Sequence, residues 1–362
     1  MPGDSIGKMF KISVWGESHG PSIGVVVEGC PPDIELDLNK IREELSRRKP
    51  GKNKFVSARK EEDRFEILSG LFNGKTTGTP ISVVIKNEGL KKENYEELAK
   101  IFRPAHADFT YHAKYGVRDY YGGGRSSARL TAPVVAAGAI ARQILSRELG
   151  IEITAYVKKI GGIESNISYD KVQQSDLSES LISFPEKDRE EEILKLLEKL
   201  REEGNSVGGI VECVVKNVPA GFGEPLFDKL DADLAKAMVG LNAVKGFETG
   251  NGFSCVELSG KENNDEFTME NGKMVTRTNR SGGILGGISN GMPIVFRVAF
   301  KATPSISQKQ NTVDIDGKEK EIEIKGDHDV CVAIRAVPVV EALSAIVICD
   351  HYLRYRGQCG IK

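Results

Sequence analysis

Residues 120–149 read YYGGGRSSARLTAPVVAAGAIARQILSREL and join a glycine-rich turn to a long helical segment. The segment from Pro133 to Leu149 is rich in alanine and glycine, and proline suits the first turn of a helix. Small side chains let neighbouring elements approach a helix closely. The stretch therefore predicts a helix over residues 133–149 on which other elements of the fold pack.

The glycine-rich turn before this helix predicts an anion-binding site. Gly122–Gly124 let the backbone adopt positive φ and come close to a ligand. Arg125, Ser126, Ser127 and Arg129 follow just before the helix, where free N–H groups, hydroxyls and guanidinium groups suit a multiply charged anion. The pattern is neither a Walker A loop nor a G-x-G-x-x-G dinucleotide motif. A glycine-rich turn with solvated arginines is the simpler alternative.

The remaining elements predict an α+β fold. Strand candidates are β-branched runs at residues 10–15, 23–28, 65–68, 81–86, 151–158, 207–218, 254–258, 293–301 and 330–335. Further helix candidates are residues 38–48, 93–102, 189–203, 225–241 and 338–355. Because strands and helices do not alternate regularly, the order disfavours a doubly wound or barrel fold and favours mostly antiparallel sheet.

A weak internal repeat and the lack of linkers bear on domain organisation. Residues 22–29 read SIGVVVEG and resemble residues 206–213, SVGGIVEC, which allows a duplicated unit. No linker is long or polar enough to divide the chain, so we expect residues 1–362 to form a single domain.

The composition disfavours nucleic-acid and membrane partners. The chain has 362 residues, 40% hydrophobic and 28% charged, which is ordinary for a globular protein. Its formal net charge of −2 creates no global field that attracts nucleic acid or an anionic membrane, so anion recognition must be local. The most apolar stretch, residues 133–145, is interrupted by Arg142 and is too short to span a bilayer.

The cysteines and histidines show no metal-site spacing. The six cysteines contain no C-x-x-C pair, and the five histidines form no Cys/His cluster with zinc spacing, so we expect no metal. The start of the chain has no signal-peptide pattern. Together these features predict a reduced, cytoplasmic protein.

Two histidines stand in loops framed by glycine or proline. His19 lies in GESHG (16–20), after a strand candidate, and His106 lies in FRPAHAD (102–108). Histidine transfers protons near neutral pH, so two histidines with nearby arginines suit an acid–base reaction on a phosphorylated or carboxylated substrate. Hydrogen-bonded histidines in polar turns are the alternative. Arg335, at the entry of a predicted helix, is a further anion-binding candidate.

Several of these segments resemble one enzyme family. The motifs GESHG (16–20), RPAHAD (103–108), GRSSAR (124–129), NAVKG (242–246), GGILGG (282–287) and residues 328–342 resemble chorismate synthase, in that family's order, from residue 7 to about 355. The resemblance implies a β-α-β sandwich and a homotetramer. It also implies a 1,4-anti elimination of phosphate from 5-enolpyruvylshikimate 3-phosphate to give chorismate, which requires reduced FMN without net redox change.

The resemblance further implies roles for individual residues. His106 would be an acid toward the departing phosphate, His19 would act at the flavin, and Asp350 would take a proton from reduced flavin. Convergent arginines would bind the phosphate and carboxylates of the substrate; they are Arg48, Arg103, Arg129 and Arg335. The FMN contacts would be Arg125, Ser126, Ser127, Asn242, Ala243, Gly286, Lys301, Ala302, Thr303, Pro304 and Ser305.

Three positions depart from the family pattern. Asp327 stands where the family commonly has an arginine that contacts flavin, so we expect FMN to bind more weakly or to be held from elsewhere. Lys54 replaces an arginine that some members link to NADP binding, which favours an enzyme supplied with reduced FMN by an external flavin reductase. Ala105 replaces a common glycine, which suggests that φ there need not be positive.

Two other functions remain open at this point. The first is an NADPH-dependent flavin reductase without elimination activity, although hydride transfer needs no arginine cluster of this size. The second is a non-catalytic sensor that binds flavin or a phosphorylated metabolite, since fold does not determine function.

Overall fold

The computed structural model describes residues 3–49, 55, 62–87, 97–324 and 328–360. The strands before residue 100 are β1 (Ser5–Ile6), β2 (Lys11–Gly16), β3 (Ser22–Glu28), β4 (Phe65–Ser69), β5 (Leu71–Phe72), β6 (Lys75–Thr76) and β7 (Ile81–Lys86). The later strands are β8 (Glu152–Ile160), β9 (Ile163–Glu164), β10 (Gly209–Lys216), β11 (Val244–Thr249), β12 (Phe267–Glu270), β13 (Lys273–Thr276), β14 (Ile284–Leu285), β15 (Ile288–Ser289), β16 (Ile294–Phe300), β17 (Gln310–Val313) and β18 (Glu319–Ile322). The α-helices are α1 (Leu38–Arg48), α2 (Asp108–Tyr115), α3 (Thr131–Leu149), α4 (Gln174–Glu179), α5 (Lys187–Glu202), α6 (Leu230–Val239), α7 (Gly260–Asn263) and α8 (Ala333–Cys359).

Two five-stranded antiparallel sheets form the outer layers. The first has the strand order β1-β2-β3-β7-β4 and the second has the order β11-β16-β10-β8-β9. Side chains alternate between the two faces of a strand. In β7, Ile81, Val83 and Ile85 are buried, whereas Ser82 and Val84 are half-buried. The first sheet therefore presents an apolar face to the interior of the molecule.

The central helices fill the space between the two sheets. α3 packs on β2, β3 and β7 of the first sheet and on α8, which in turn packs on β8 and β10 of the second. Gly138 of α3 lies directly against Ala342 of α8, so a methyl group at Gly138 would overlap that residue. The prediction of an α+β, β-α-β sandwich is confirmed, as is the prediction that other elements pack on the alanine-rich helix.

The C-terminal helix is longer than its sequence pattern predicts. α8 has 27 residues, and Pro338 lies inside it instead of at its start. The segment 330–335, predicted as a strand, is a turn followed by the first residues of this helix. Burial of nearly all side chains from Ala333 to Leu353 outweighs the hydrogen bond that proline cannot make. Across the described residues, no helix combines the length and apolarity that crossing a membrane requires.

A second predicted strand is also wrong. Residues 254–257 lie in a 3-10 helix, Gly252–Glu257, in which no side chain is buried, and Leu258 directly follows it. Phe253 and Val256 are exposed there, so they have no sheet face on which to pack. Strand propensity depends on such packing, and a run of β-branched and aromatic residues alone does not produce a strand.

The two segments of the internal repeat occupy equivalent places. Residues 22–28 form β3, the middle strand of the first sheet, and residues 209–213 begin β10, the middle strand of the second. This arrangement is compatible with a duplicated unit, which stays a prediction, as does the single domain over the whole chain.

Candidate active site

The glycine-rich turn folds against the loop that carries His19. Gly122 has φ of +63°, and its backbone lies so close to the His19 ring that a Cβ would overlap the imidazole. Ser18 Oγ lies 3.2 Å from His19 Nδ1 and also contacts the carbonyls of Tyr121 and Gly122. Glycine at this position is therefore required for the histidine loop and the glycine-rich turn to meet.

Arg125 links the glycine-rich turn to the first sheet through hydrogen bonds. Its guanidinium donates to the carbonyl of Gly16 at 3.0 Å and that of Val14 at 3.1 Å, and it pairs with Asp4. Ser126 Oγ donates to the carbonyl of Gly123 at 2.7 Å. These side chains, predicted to bind an anion, have protein partners in this structure and hold the turn in place.

A half-buried carboxyl lies beneath the turn. Glu17 packs against Gly124 together with Asp119. Burial, and then the charge of Asp119, raise the pKa of the Glu17 carboxyl. Oε2 of Glu17 has no hydrogen-bond partner in the described part of the chain.

The loop that carries His106 corrects one expectation. Ala105 has φ of +57°, which is the left-handed region. The suggestion that φ need not be positive there is wrong: the chain adopts the conformation that glycine favours and bears the steric cost of a Cβ. The Ala105 carbonyl thereby accepts a hydrogen bond of 2.8 Å from Lys301 Nζ.

His106 is held at both ring nitrogens. Nδ1 lies 2.9 Å from the carbonyl oxygen of Pro104, and Nε2 lies 3.0 Å from Ser305 Oγ. Because a carbonyl only accepts, Nδ1 carries the proton, and Nε2 of the neutral ring accepts from the Ser305 hydroxyl. Burial, and then the Arg103 charge, lower the pKa of His106 to about 4. The ring is therefore neutral at pH 7.

Arg103 and Asp108 form a two-pronged ion pair beside His106. Arg103 Nε donates to Oδ2 of Asp108 at 2.8 Å, and Nη2 donates to Oδ1 at 2.9 Å. Arg118 also contacts Asp108, at 3.0 Å. The Arg103 guanidinium reaches toward Gly123 of the glycine-rich turn, so this pair lies next to the turn.

Contacts between distant segments join these loops into one site. Asn242 Nδ2 donates to the Ser126 carbonyl at 2.7 Å, and the Lys301 backbone N–H donates to the Ala243 carbonyl at 2.9 Å. The Lys301 side chain donates to the Ala105 carbonyl, and the Ser305 hydroxyl bonds to Nε2 of His106. Four stretches separated by up to 200 residues thus meet around the glycine-rich turn.

Arg48 and Arg129 meet at a buried carboxylate that the sequence analysis did not identify. Arg48 Nη2 lies 3.0 Å from Asp63 Oδ2, and Arg129 pairs with Oδ1 of the same residue. The Asp63 side chain has no exposure to solvent, and the two arginines are nearly buried. Asn87 links this group to the His19 loop, because it accepts from Arg129 Nε at 3.1 Å and donates to the carbonyls of Glu17 and Gly20. No sequence motif marks Asp63.

Arg335 enters the same region from the start of α8. Its Nη1 lies 2.8 Å from Asp329 Oδ2, while its buried Nε has no hydrogen-bond partner in the described part of the chain. The preceding loop is next to residues 301–305, because Val207 donates to the Val330 carbonyl and Ser206 Oγ donates to the Thr303 carbonyl.

Asp350 does not join this group. Its Oδ1 accepts hydrogen bonds of 2.6–2.9 Å from the backbone N–H groups of Lys8, Met9 and Phe10. These residues precede β2, whereas His19 follows it, and a six-residue strand spans roughly 20 Å. The structure therefore places Asp350 apart from the His19 loop, and the proton-accepting role that the resemblance implies for it stays a prediction.

Replacement of Asp350 by alanine tests whether the side chain has a structural role or transfers a proton. We expect the free energy of unfolding to fall by about 1–3 kcal/mol, because three backbone N–H groups, that of buried Phe10 among them, lose their acceptor. Activity per folded molecule should be unchanged. Urea unfolding and turnover measured on the same preparation check both points. A variant that unfolds like the wild type but turns over slowly would restore the role in proton transfer.

Gly286 also lies apart from the other predicted FMN contacts of the same chain. It occupies the tip of the β14–β15 hairpin, which packs beside Lys229 and precedes β16. Lys301 follows the other end of β16, a strand of seven residues that spans roughly 20 Å. Asp327 and Lys54 fall outside the described residues, so the expectations attached to them stay predictions.

The residues assigned to FMN fit a polar, phosphorylated ligand. Oγ1 of Thr303 is buried and lacks a hydrogen-bond partner in the part of the chain that the structure describes. Lys301 contributes a positive charge, and Asn242 and Ser305 contribute polar side chains around the glycine-rich turn. Unmatched buried donors and a surplus of positive charge are what an anionic ligand requires.

Comparisons with known proteins agree on one family. The family description that matches residues 10–353 is chorismate synthase. A curated chorismate synthase of Thermosynechococcus vestitus is 51% identical over 361 residues, covering 99% of both chains, and one of Opitutus terrae is 52% identical over 357 residues, covering 99% of this chain and 98% of the relative. A solved crystal structure of chorismate synthase superposes with a TM-score of 0.77 at 31% identity, covering 97% of this chain and 94% of the other.

Proposed function

Since this chain belongs to the chorismate synthase family, we propose that it eliminates phosphate from 5-enolpyruvylshikimate 3-phosphate to give chorismate, with reduced FMN as cofactor. One observation carries the proposal. Apart from Gly286 and Asp350, residues that the family resemblance implies for substrate and cofactor come from separate segments and lie around one glycine-rich turn.

The arginines suit a substrate with one phosphate and two carboxylates. Arg103, Arg129 and Arg48 are held by carboxylates, so their guanidinium planes are oriented before substrate arrives. A fixed guanidinium binds carboxylate or phosphate through two hydrogen bonds and stabilises the charge that develops as phosphate departs. Nε of Arg335 has no hydrogen-bond partner in the described part of the chain, so this N–H group is available to donate to the substrate.

His106 and Ser305 together determine whether a proton is available for transfer at this position. In the neutral ring, Nε2 accepts from Ser305, so the histidine becomes an acid only after its pKa rises. The negative charge of a substrate phosphate nearby would raise that pKa, since an opposite charge favours the protonated form. Reduced FMN, when bound, would supply an electron as the carbon–oxygen bond breaks and recover it afterwards. His19, packed on Gly122, is the side chain we assign to the flavin.

Anaerobic turnover tests the proposed function. Purified protein is mixed with 5-enolpyruvylshikimate 3-phosphate and chemically reduced FMN, and both phosphate release and chorismate absorbance are followed. We expect product with reduced FMN but none with oxidised FMN plus NADPH, which indicates an external flavin reductase. Product in both reactions would mean an intrinsic reductase. Absence of product despite confirmed binding of both ligands would favour the sensor.

We also propose a cytoplasmic homotetramer. All six cysteines are free, as expected in a reducing compartment. The outer face of the first sheet exposes Trp15, packed over Gly24, and Leu68, which is 63% exposed. Apolar groups on an uncovered sheet face suit a subunit interface. Light scattering after gel filtration measures the mass, and a monomer of 39.5 kDa would contradict the assembly.

A further inference from the structure

The arginines of the site already have carboxylate partners. The pairs are Arg48 and Arg129 with Asp63, Arg103 with Asp108, Arg125 with Asp4, and Arg335 with Asp329. Each pair reduces the net positive charge that its arginine offers to a ligand. Cationic side chains that have no carboxylate partner are therefore the better indicators of where an anionic ligand binds.

Lys245 and Lys301 have no carboxylate partner in the described part of the chain. Lys301 Nζ donates to the carbonyl of Ala105, and the side chain of Lys245 is exposed. Lys245 was not among the residues that the sequence analysis assigned to the site. Burial, and then the charge of Lys245, lower the pKa of Lys301, so the two ammonium groups are close enough to repel each other.

The backbone brings these two lysines to neighbouring positions. Val244 of β11 pairs with Phe300 of β16, and both side chains are buried. Lys245 and Lys301 directly follow these two paired residues, and the Lys301 backbone N–H donates to the Ala243 carbonyl at 2.9 Å, so the two segments are held together. A β-bulge falls between Val244 and Gly246, so that Lys245 is the additional residue of the bulged strand. Bulges redirect side chains and are frequent next to active sites.

We propose that Lys245 and Lys301 together bind a phosphate monoester, with Lys245 as a binding residue of the site. A phosphate dianion between two ammonium groups replaces repulsion by attraction. The turn at Asn242, whose side chain bonds to the Ser126 carbonyl, places the pair beside the glycine-rich turn. The identity of the ester rests on the proposed function, which offers two sources: the phosphate of FMN and that of the substrate.

Binding of FMN and of riboflavin to the full chain tests the proposal without turnover. Riboflavin differs from FMN only in lacking the phosphate. Flavin fluorescence titrations with FMN and with riboflavin therefore isolate the contribution of the phosphate to binding. We expect Lys245→Gln to weaken FMN binding about 10-fold, the loss of one charge-assisted contact, and to leave riboflavin binding unchanged. Lys245→Arg should retain most of the affinity for FMN. Lys195→Gln, an exposed lysine of α5, is the matched control for the loss of a surface charge.

The remaining outcomes separate the sources and can overturn the proposal. If FMN binding is unchanged but 5-enolpyruvylshikimate 3-phosphate binds Lys245→Gln more weakly in calorimetry, the lysines hold the substrate phosphate. If neither phosphorylated ligand is affected, or if FMN and riboflavin weaken equally while circular dichroism is unchanged, the phosphate site is refuted. An inactive wild-type protein that still distinguishes FMN from riboflavin would refute the proposed reaction but not this site.

Discussion

Replacement of His106 by alanine is expected to slow phosphate release by about 10²–10⁴-fold, the usual cost of removing a general acid–base group. The ring is fixed between the Pro104 carbonyl and the Ser305 hydroxyl, so Nε2 is the atom that can exchange a proton with substrate. His106→Gln keeps a polar group but cannot transfer a proton, and should be nearly as slow. Single-turnover phosphate release measures both variants.

A neighbouring histidine serves as the control for this experiment. His112, on α2, lies beside Phe102, with ring centroids 5.6 Å apart and the ring planes tilted by 50°. His112→Ala should keep nearly wild-type turnover. If His106→Ala also turns over like the wild type, the acid–base role is wrong. If His106→Gln alone is active, His106 positions Ser305 instead of transferring a proton.

The pKa of His106 provides an independent measurement. NMR titration of the imidazole should give a value near 4 in the free protein and a higher value after substrate is added. Because the folded-state pKa is below that of the unfolded chain, this group favours folding fully above about pH 6.5. The contribution is lost as pH falls from there toward 4.

Replacement of Asp63 by alanine is expected to lower the free energy of unfolding by about 3–5 kcal/mol. The fully buried carboxylate contacts both Arg48 and Arg129, and its removal leaves two nearly buried cations facing each other. Urea unfolding measures the loss. The same variant should also weaken substrate binding, because both guanidinium groups lose the carboxylate that helps to orient them.

The chain offers a matched control for Asp63. Asp33 also has positive φ, +61° against +50° for Asp63, and also forms an ion pair, with Lys75 at 2.6 Å. The Asp33 pair is exposed, and exposed pairs contribute little to stability. Asp33→Ala therefore carries the same backbone change without the buried charge. Equal losses in the two variants would show that the backbone conformation, and not the buried ion pair, stabilises the protein.

The parts of the fold that depend on local pattern could be predicted from the sequence. The residues 38–48 form α1 with the predicted bounds, because their apolar stripe and the Asp37 N-cap are local signals. Residues 254–258 and 330–335 were predicted wrongly, since their structure depends on whether a distant element covers them. Local propensity does not contain that information.

The same distinction applies to the candidate site. The loops around His19, His106 and the glycine-rich turn have local signatures and do come together. Asp63 lies 15 residues from one arginine partner and 66 from the other, so no spacing rule connects them. The catalytic role of Asp350 was assigned by resemblance to the family, whereas in the structure Oδ1 of Asp350 accepts from three backbone amides that only the fold brings near.

The central position of α8 also has a consequence for biosynthesis. α8 follows every strand of both sheets in chain order, yet it covers β8 and β10 and packs along α3. During translation, the ribosome therefore releases both sheets before the helix that separates them. Until then, the first sheet is covered by α3, whereas β8 and β10 of the second sheet lack the helix that packs on them. We expect the nascent chain to be most prone to aggregation at this stage, before α8 covers the second sheet.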